Sequence, residues 1–146
     1  MTHSLMYAAV KTGMNFVAAT PADYAPDEGV TQRAQEDAKE TGASIALVTD
    51  PFAAAKDADI LVTDTWASMG QEAEHDARTA VFRPYQVNRA LLAAADRRAV
   101  VMHCLPAYRG EEITADVFES FADVIFDEAE NRLHVQKAIM ALVMGG

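Results

Sequence analysis

Three groups with chemical potential each follow an apolar run in this sequence. Asp64 closes DILVTD (59–64) and leads into Thr65-Trp66-Ala67-Ser68-Met69-Gly70. Cys104 closes AVVMHC (99–104) and is followed by Leu105 and Pro106, while Arg132 comes shortly after DVIFD (123–127) and Glu128. If those runs are parallel strands of one open sheet, the residues after them share a rim, because such sheets bind ligands at the carboxyl ends of their strands. A carboxylate, a thiol and a guanidinium on one rim could hold a zwitterion and an anion together. Each residue also has a plainer use. An aspartate ending a strand caps turns and helices, and a lone cysteine is often just a small buried hydrophobe. Arg132 stands four residues from Glu128, the spacing of a helical ion pair. Residue types alone leave these alternatives open.

The elements that must position these groups can be read from periodicity and punctuation. Residues 2–12 predict a helix stopped at Gly13, and MNFVAAT (14–20) a buried strand closed by Pro21. Asp27 is placed to cap a helix running to about Thr41, with Val30, Ala34 and Ala38 on one face and Gly42 ending it. SIALVT (44–49) and residues 59–64 are the next two strands, with a short helix after Pro51 between them. The stretch TWASMGQEAEHDART (65–79) lacks clear periodicity and is too long for a mere connector, which marks it as a candidate functional loop. Residues 85–95 read as a helix, 99–104 as the fourth strand, LPAYRGEEI as a loop, and a helix from about Thr114 leads to a fifth strand at 123–127. In the last helix Val135, Ala138, Ile139, Leu142 and Val143 follow i, i+3, i+4, i+7, i+8 spacing.

Strands alternating with helices predict an α/β fold, a Rossmann-like three-layer αβα arrangement around a parallel sheet. One domain over residues 1–146 is expected. The chain opens inside a helix, whereas such domains open on a strand that is often central. The first strand is therefore expected to be missing, leaving strand edges and apolar helix faces uncovered and the fold marginally stable.

Composition removes several classes of function. Hydrophobic residues at 51% and charged residues at 23% describe a globular chain. A formal net charge of -10 argues against nucleic acid or an anionic membrane as partner. The single cysteine forbids an intrachain disulfide and suits a reducing cytoplasm. No basic leader precedes residue 13, and no apolar stretch reaches membrane-spanning length. His3, His75, His103 and His134 show no metal-ligand spacing, so no metal is expected. There is no glycine-rich phosphate loop and no G-x-S-x-G elbow, which argues against a dinucleotide cofactor and a serine nucleophile.

Several strings carry a more specific resemblance. HSLMYAAVKTGM (3–14), DTWASMGQE (64–72), FRPYQVN (82–88), MHCLPAYRGEEITADVFES (102–120) and FDEAENRLHVQKAIMALVMG (126–145) resemble the ornithine carbamoyltransferases. The likeness spans nearly the whole chain from His3. Its most specific part is the D-x-x-x-S-M-G loop of the ornithine-selective branch; aspartate carbamoyltransferases carry another loop, and a proline where Cys104 stands. The resemblance implies transfer of the carbamoyl group of carbamoyl phosphate to the side-chain amine of L-ornithine. The products would be L-citrulline and phosphate, in arginine metabolism, with no cofactor. It assigns Asp64 to the α-amino group of ornithine, and Ser68 and Met69 to a loop that closes over the amino acid. Cys104 would lie beside the attacking amine, as a catalytic residue that positions it or accepts its proton; Leu105 would hold the carbamoyl NH₂ through its carbonyl, and Arg132 would reach carbamoyl phosphate and stabilise charge on the carbonyl oxygen.

The family's other half, which holds carbamoyl phosphate through a Ser-Thr-Arg-Thr loop, has no counterpart string in these residues. A G-D-x-N-N segment whose second Asn binds ornithine is expected just before Met1. The chain alone is thus expected to show no appreciable transfer, and the trimer usual in the family belongs to the full-length enzyme. Two other classes stand beside the enzyme fragment. One is a module that binds ornithine weakly without chemistry. The other is a nucleotide-binding domain, which the missing glycine fingerprint disfavours.

Overall fold

The computed structural model describes residues 1–67, 70 and 72–145. Its contacts cluster into two units, Met1–Lys56 and Asp57–Gly146.

In the first unit, α1 (Thr2–Lys11) presents Met6, Ala9 and Val10 to the interior, one stripe at i, i+3, i+4 spacing. It ends as the spacing predicts. Gly13 takes φ +77°, its N–H reaches the carbonyl of Val10 at 3.3 Å, and the Met14 N–H reaches that of Ala9 at 2.9 Å. The strand β1 (Phe16–Ala19) follows, and Asp27 starts α2 (Glu28–Thr41) by accepting the Val30 N–H at 2.8 Å. The buried positions of α2 are Thr31, Ala34 and Ala38. Small side chains there let it lie close against α1, and Thr41 Oγ1 donates to the Val10 carbonyl at 2.6 Å. Gly42 at φ +75° ends the helix. β2 (Ile45–Val48) then pairs parallel with β1, Phe16 opposite Ile45 and Ala19 opposite Val48. Asp50 caps the short α3 (Pro51–Ala55).

The second unit opens with β3 (Ile60–Thr63), which pairs parallel with β4 (Val100–His103), Ile60 opposite Val100 and Thr63 opposite His103. Between them lie α4 (His75–Phe82) and α5 (Arg89–Leu92), joined by a 3-10 turn, Arg83–Tyr85. Asn88 caps α5 by accepting the Leu91 N–H at 3.0 Å. The stretch expected to be loop over 65–79 is thus helical in its second half, from a 3-10 turn at Glu72–Glu74 into α4. Asp76 and Ala77 suit a first turn, and Arg78 pairs with Glu74 at 2.9 Å, a local charge pair hidden in a stretch with little apolar periodicity.

α6 (Ala115–Ser120) begins where Thr114 predicts, but the fifth strand does not form. Residues 123–127 are the first turns of α7 (Ala122–Met144). The Ile125 N–H donates to the Phe121 carbonyl at 3.0 Å, and Ile125 is fully buried. The apolar trio Val124-Ile125-Phe126 is short enough to read as either state, and the following Asp-Glu-Ala-Glu-Asn-Arg-Leu favours continued helix. α7 packs against β4 and lends it a side chain: Glu128 Oε2 accepts the His103 N–H at 2.9 Å, a donor that a neighbouring strand would otherwise engage. Phe126 meets Phe118 edge-on at 6.1 Å.

Each sheet has two strands, so each has two edges without a strand partner among the described residues. Val17, Leu47, Ile60 and Val62 are exposed, as are Leu133, Val135, Ile139, Leu142 and Val143 along α7. The fold is α/β with parallel strands, as expected. Among the described residues no helix is long and apolar enough to cross a membrane.

Candidate active site

The carboxyl ends of β3 and β4 lie side by side because the two strands pair in register, Thr63 opposite His103. The next residue on each strand is therefore also a neighbour of the other. Cys104 Sγ donates to Asp64 Oδ1 at 3.4 Å, and the same oxygen accepts the Thr65 N–H at 2.8 Å. Two groups 40 residues apart thus form one contact. The loop after β3 is anchored by Trp66, which is buried and stacks on Phe82 with ring centroids 6.2 Å apart.

The thiol is not ionised at neutral pH. Partial burial removes water that would solvate a thiolate, and the Asp64 charge and its hydrogen bond favour the S–H form, as does the Glu128 charge. Together they raise Cys104 from its ordinary 9.0 to about 11. At pH 7 only about one thiol in ten thousand would be charged. Cys104 is accordingly, in the resting site, a donor to Asp64 rather than a standing base.

Leu105 takes φ +57°, a conformation branched side chains rarely adopt. Its N–H is held by His103 Nδ1 at 3.0 Å. His103 Nε2 meets Glu112 Oε1 at 3.1 Å, and that oxygen also accepts the Tyr108 N–H. Both side chains of the pair are fully buried. The turn carrying Glu112 is clamped in turn by the FRPYQVN segment. Arg83 Nη1 and Gln86 Nε2 donate to the Gly110 carbonyl at 2.7 and 3.0 Å, and the Val87 N–H donates to that of Glu112 at 2.8 Å.

Of the residues singled out from sequence, the structure brings Asp64, Cys104 and Leu105 together. Ser68 and Met69 lie outside the described residues. Arg132 stands on an exposed stretch of α7, and among the described residues no hydrogen bond or ion pair joins it to Asp64, Cys104 or Glu128. The helical state of residues 123–127 removes the strand end from which it was expected to reach the rim.

Sequence alone does not reveal His103 and Glu112 as functional: linear spacing tests the histidines only as metal ligands, and Glu112 reads as one more loop carboxylate in RGEEI. Glu128 is visible there only as a helical partner for Arg132. Asp64, His103 and Cys104 do bring ligand-type atoms within 4.8 Å of one another, which linear spacing hides. Both ring nitrogens of His103 are already engaged, however, with Leu105 and Glu112.

Fold and site together define an α/β chain with parallel strands and a carboxylate–thiol pair where β3 and β4 end. Residues 1–143 match the family model described as the Asp/Orn-binding domain of aspartate/ornithine carbamoyltransferase. The chain belongs to that family. The ornithine carbamoyltransferase of Thermococcus kodakarensis is 56% identical over all 146 residues, which cover 46% of it. The crystal structure of an anabolic ornithine carbamoyltransferase from Campylobacter jejuni superposes with a TM-score of 0.95 at 38% identity, over 99% of this chain and 48% of that one. The Pyrococcus furiosus ornithine carbamoyltransferase gives 0.92 at 56% identity, over 99% and 46%. The chain spans about half the length of these relatives.

Proposed function

We propose that residues 1–146 form a single ornithine-binding domain and supply the amino-acid side of a carbamoyl-transfer site, completed by residues this chain does not contain. The observation that carries the reading is the Cys104–Asp64 contact at the ends of paired parallel strands, on a chain of this family. Asp64 offers a carboxylate to the α-amino group of ornithine. Cys104, uncharged, offers sulfur lone pairs to an N–H of the side-chain amine and so aims the nitrogen lone pair. Leu105, fixed in its left-handed conformation, offers its carbonyl to the carbamoyl NH₂.

The neutral amine attacks the carbonyl carbon of carbamoyl phosphate and a C–N bond forms. The tetrahedral centre collapses as the C–O bond to phosphate breaks, and phosphate leaves with the electron pair. The nitrogen loses one proton, to the departing phosphate or to water. Orientation of the two substrates and neutralisation of developing charge supply the rate, with Arg132 as the cation on this chain, and Ser68 and Met69 closing over the amino acid. No cofactor takes part. The setting is the cytoplasm and arginine biosynthesis, and the full-length assembly is trimer-based.

The test is fusion of this chain behind the part of the Thermococcus kodakarensis relative that it does not cover. The fused protein is expected to form citrulline from ornithine and carbamoyl phosphate, whereas the chain alone forms none at appreciable rate. A folded fusion that makes no citrulline, or that accepts aspartate as readily as ornithine, would overturn the reading. Because the chain spans about half of its relatives, a second reading is binding without chemistry. Heat evolved on titrating the lone chain with ornithine, without carbamoyl phosphate, would favour it.

A further inference from the structure

We infer that His103 and Glu112 are a positioning device that fixes the backbone of Leu105 and, through it, the seat of Cys104. The inference deepens the carbamoyl-transfer reading and rests on it for what the loop presents. The loop Leu105–Tyr108 has donors at its two ends, and one buried pair takes both: Leu105 N–H to His103 Nδ1, and Tyr108 N–H to Glu112 Oε1. Accepting from Leu105 leaves Nδ1 without a proton. The ring therefore carries its hydrogen on Nε2, where it donates to Glu112.

A leucine in the left-handed region persists only where its surroundings over-determine it. Here the surroundings are these hydrogen bonds. Packing alone would not call for them, since two apolar side chains of similar size fill a core at less desolvation cost than a histidine and a carboxylate. The main chain of Glu112 is fixed independently by Val87, and the turn before it by Arg83 and Gln86, so the pair works from a rigid base. If Leu105 lost its acceptor, the backbone would relax towards negative φ and Cys104 would leave Asp64 for water.

The two ring nitrogens can be separated by substitution on the 146-residue chain. His103→Asn sets an amide oxygen near the place of Nδ1 and keeps an acceptor for Leu105. His103→Gln reaches the place of Nε2 and keeps the Glu112 contact, but leaves the Leu105 N–H bare. The readout is the rate of Cys104 alkylation by iodoacetamide between pH 7 and 11.5. His103→Asn is expected to keep the parent profile within about twofold. His103→Gln is expected to move the inflection down by about one unit or more, because the sulfur regains water. A profile rescued by Gln and not by Asn, or moved equally by both, overturns the inference.

Should either variant fail to fold, ring ¹⁵N shifts of the parent decide. Nε2 protonated and Nδ1 bare is expected; a protonated Nδ1 at neutral pH overturns the inference. No substrate enters these measurements. Failure here leaves the citrulline assay of the fused protein untouched, and the reverse holds.

Discussion

Replacing Asp64 by Asn should make Cys104 more reactive, and the structure sets how much. The thiol stands at about 11 against an ordinary 9.0, with loss of solvation as the largest cause and the Asp64 charge next. The substitution removes the charge, keeps an oxygen able to accept the S–H, and leaves the burial as it was. Part of the elevation should therefore go, and each unit of fall gives about tenfold more thiolate at any pH below both values. A less basic thiolate is also a weaker nucleophile. With a Brønsted slope of about 0.4–0.5, a one-unit fall costs close to threefold in intrinsic rate, leaving a net acceleration of about three- to fourfold. Alkylation by iodoacetamide at pH 8, followed by mass spectrometry, reads this at one site because the chain has one cysteine. Circular dichroism establishes that the variant is folded.

An unchanged or slower rate in folded Asp64→Asn protein would refute the electrostatic coupling inferred from the 3.4 Å contact. The same elevation has a consequence for stability. The unfolded thiol ionises first, so the stability the group contributes is present below pH 9 and is lost as pH rises towards about 11. Partial exposure limits that loss to about 1 kcal/mol.

Other perturbations test the framework. Gly42 has φ +75° and open space around the position of a Cβ, so a side chain there adds strain alone. Gly42→Ala should accordingly lower stability by about 1 kcal/mol in thermal melts. Ile125→Ala should cost about 2–4 kcal/mol through the cavity it leaves. NMR secondary shifts of residues 122–128 should be helical; strand shifts there would contradict α7. His75 is raised above its ordinary 6.5 first by its hydrogen bond to Asp76 and then by Glu111. The pair contribution is present while the imidazole is protonated and fades as pH rises through the elevated value. An NMR titration should therefore give a midpoint above 6.5 that falls in Asp76→Asn. The uncovered strand edges and the apolar stretch of α7 should make the isolated chain bind ANS and aggregate with concentration. A sharp, concentration-independent melt without dye binding would count against that expectation.

Much of this protein was decided locally and is legible in the order of its residues. Asp27 and Gly42 bound a helix because a side-chain acceptor and a residue free to take positive φ act within one turn. The runs at 16–19, 45–48, 60–63 and 100–103 are strands because each is short, apolar and closed by turn or cap residues. Asp64, Cys104 and Leu105 could be named as site residues because each follows such a run.

Tertiary packing decided the rest. The segment 123–127 carries an apolar trio compatible with either state, and burial of Ile125 together with Glu128 reaching His103 comes with its being helix. That outcome puts Arg132 on an exposed helix rather than beyond a strand end. The Cys104–Asp64 contact depends on the register of two strands far apart in sequence, and the raised thiol on the burial that register creates. His103 and Glu112 look plain in a string of letters. Only the folded chain removes both from water. Removal from water is what turns an ordinary histidine and carboxylate into a pair that must find partners: His103 and Glu112 Oε1 find them in each other and in the backbone beside the site, while Glu112 Oε2 is left without one among the described residues.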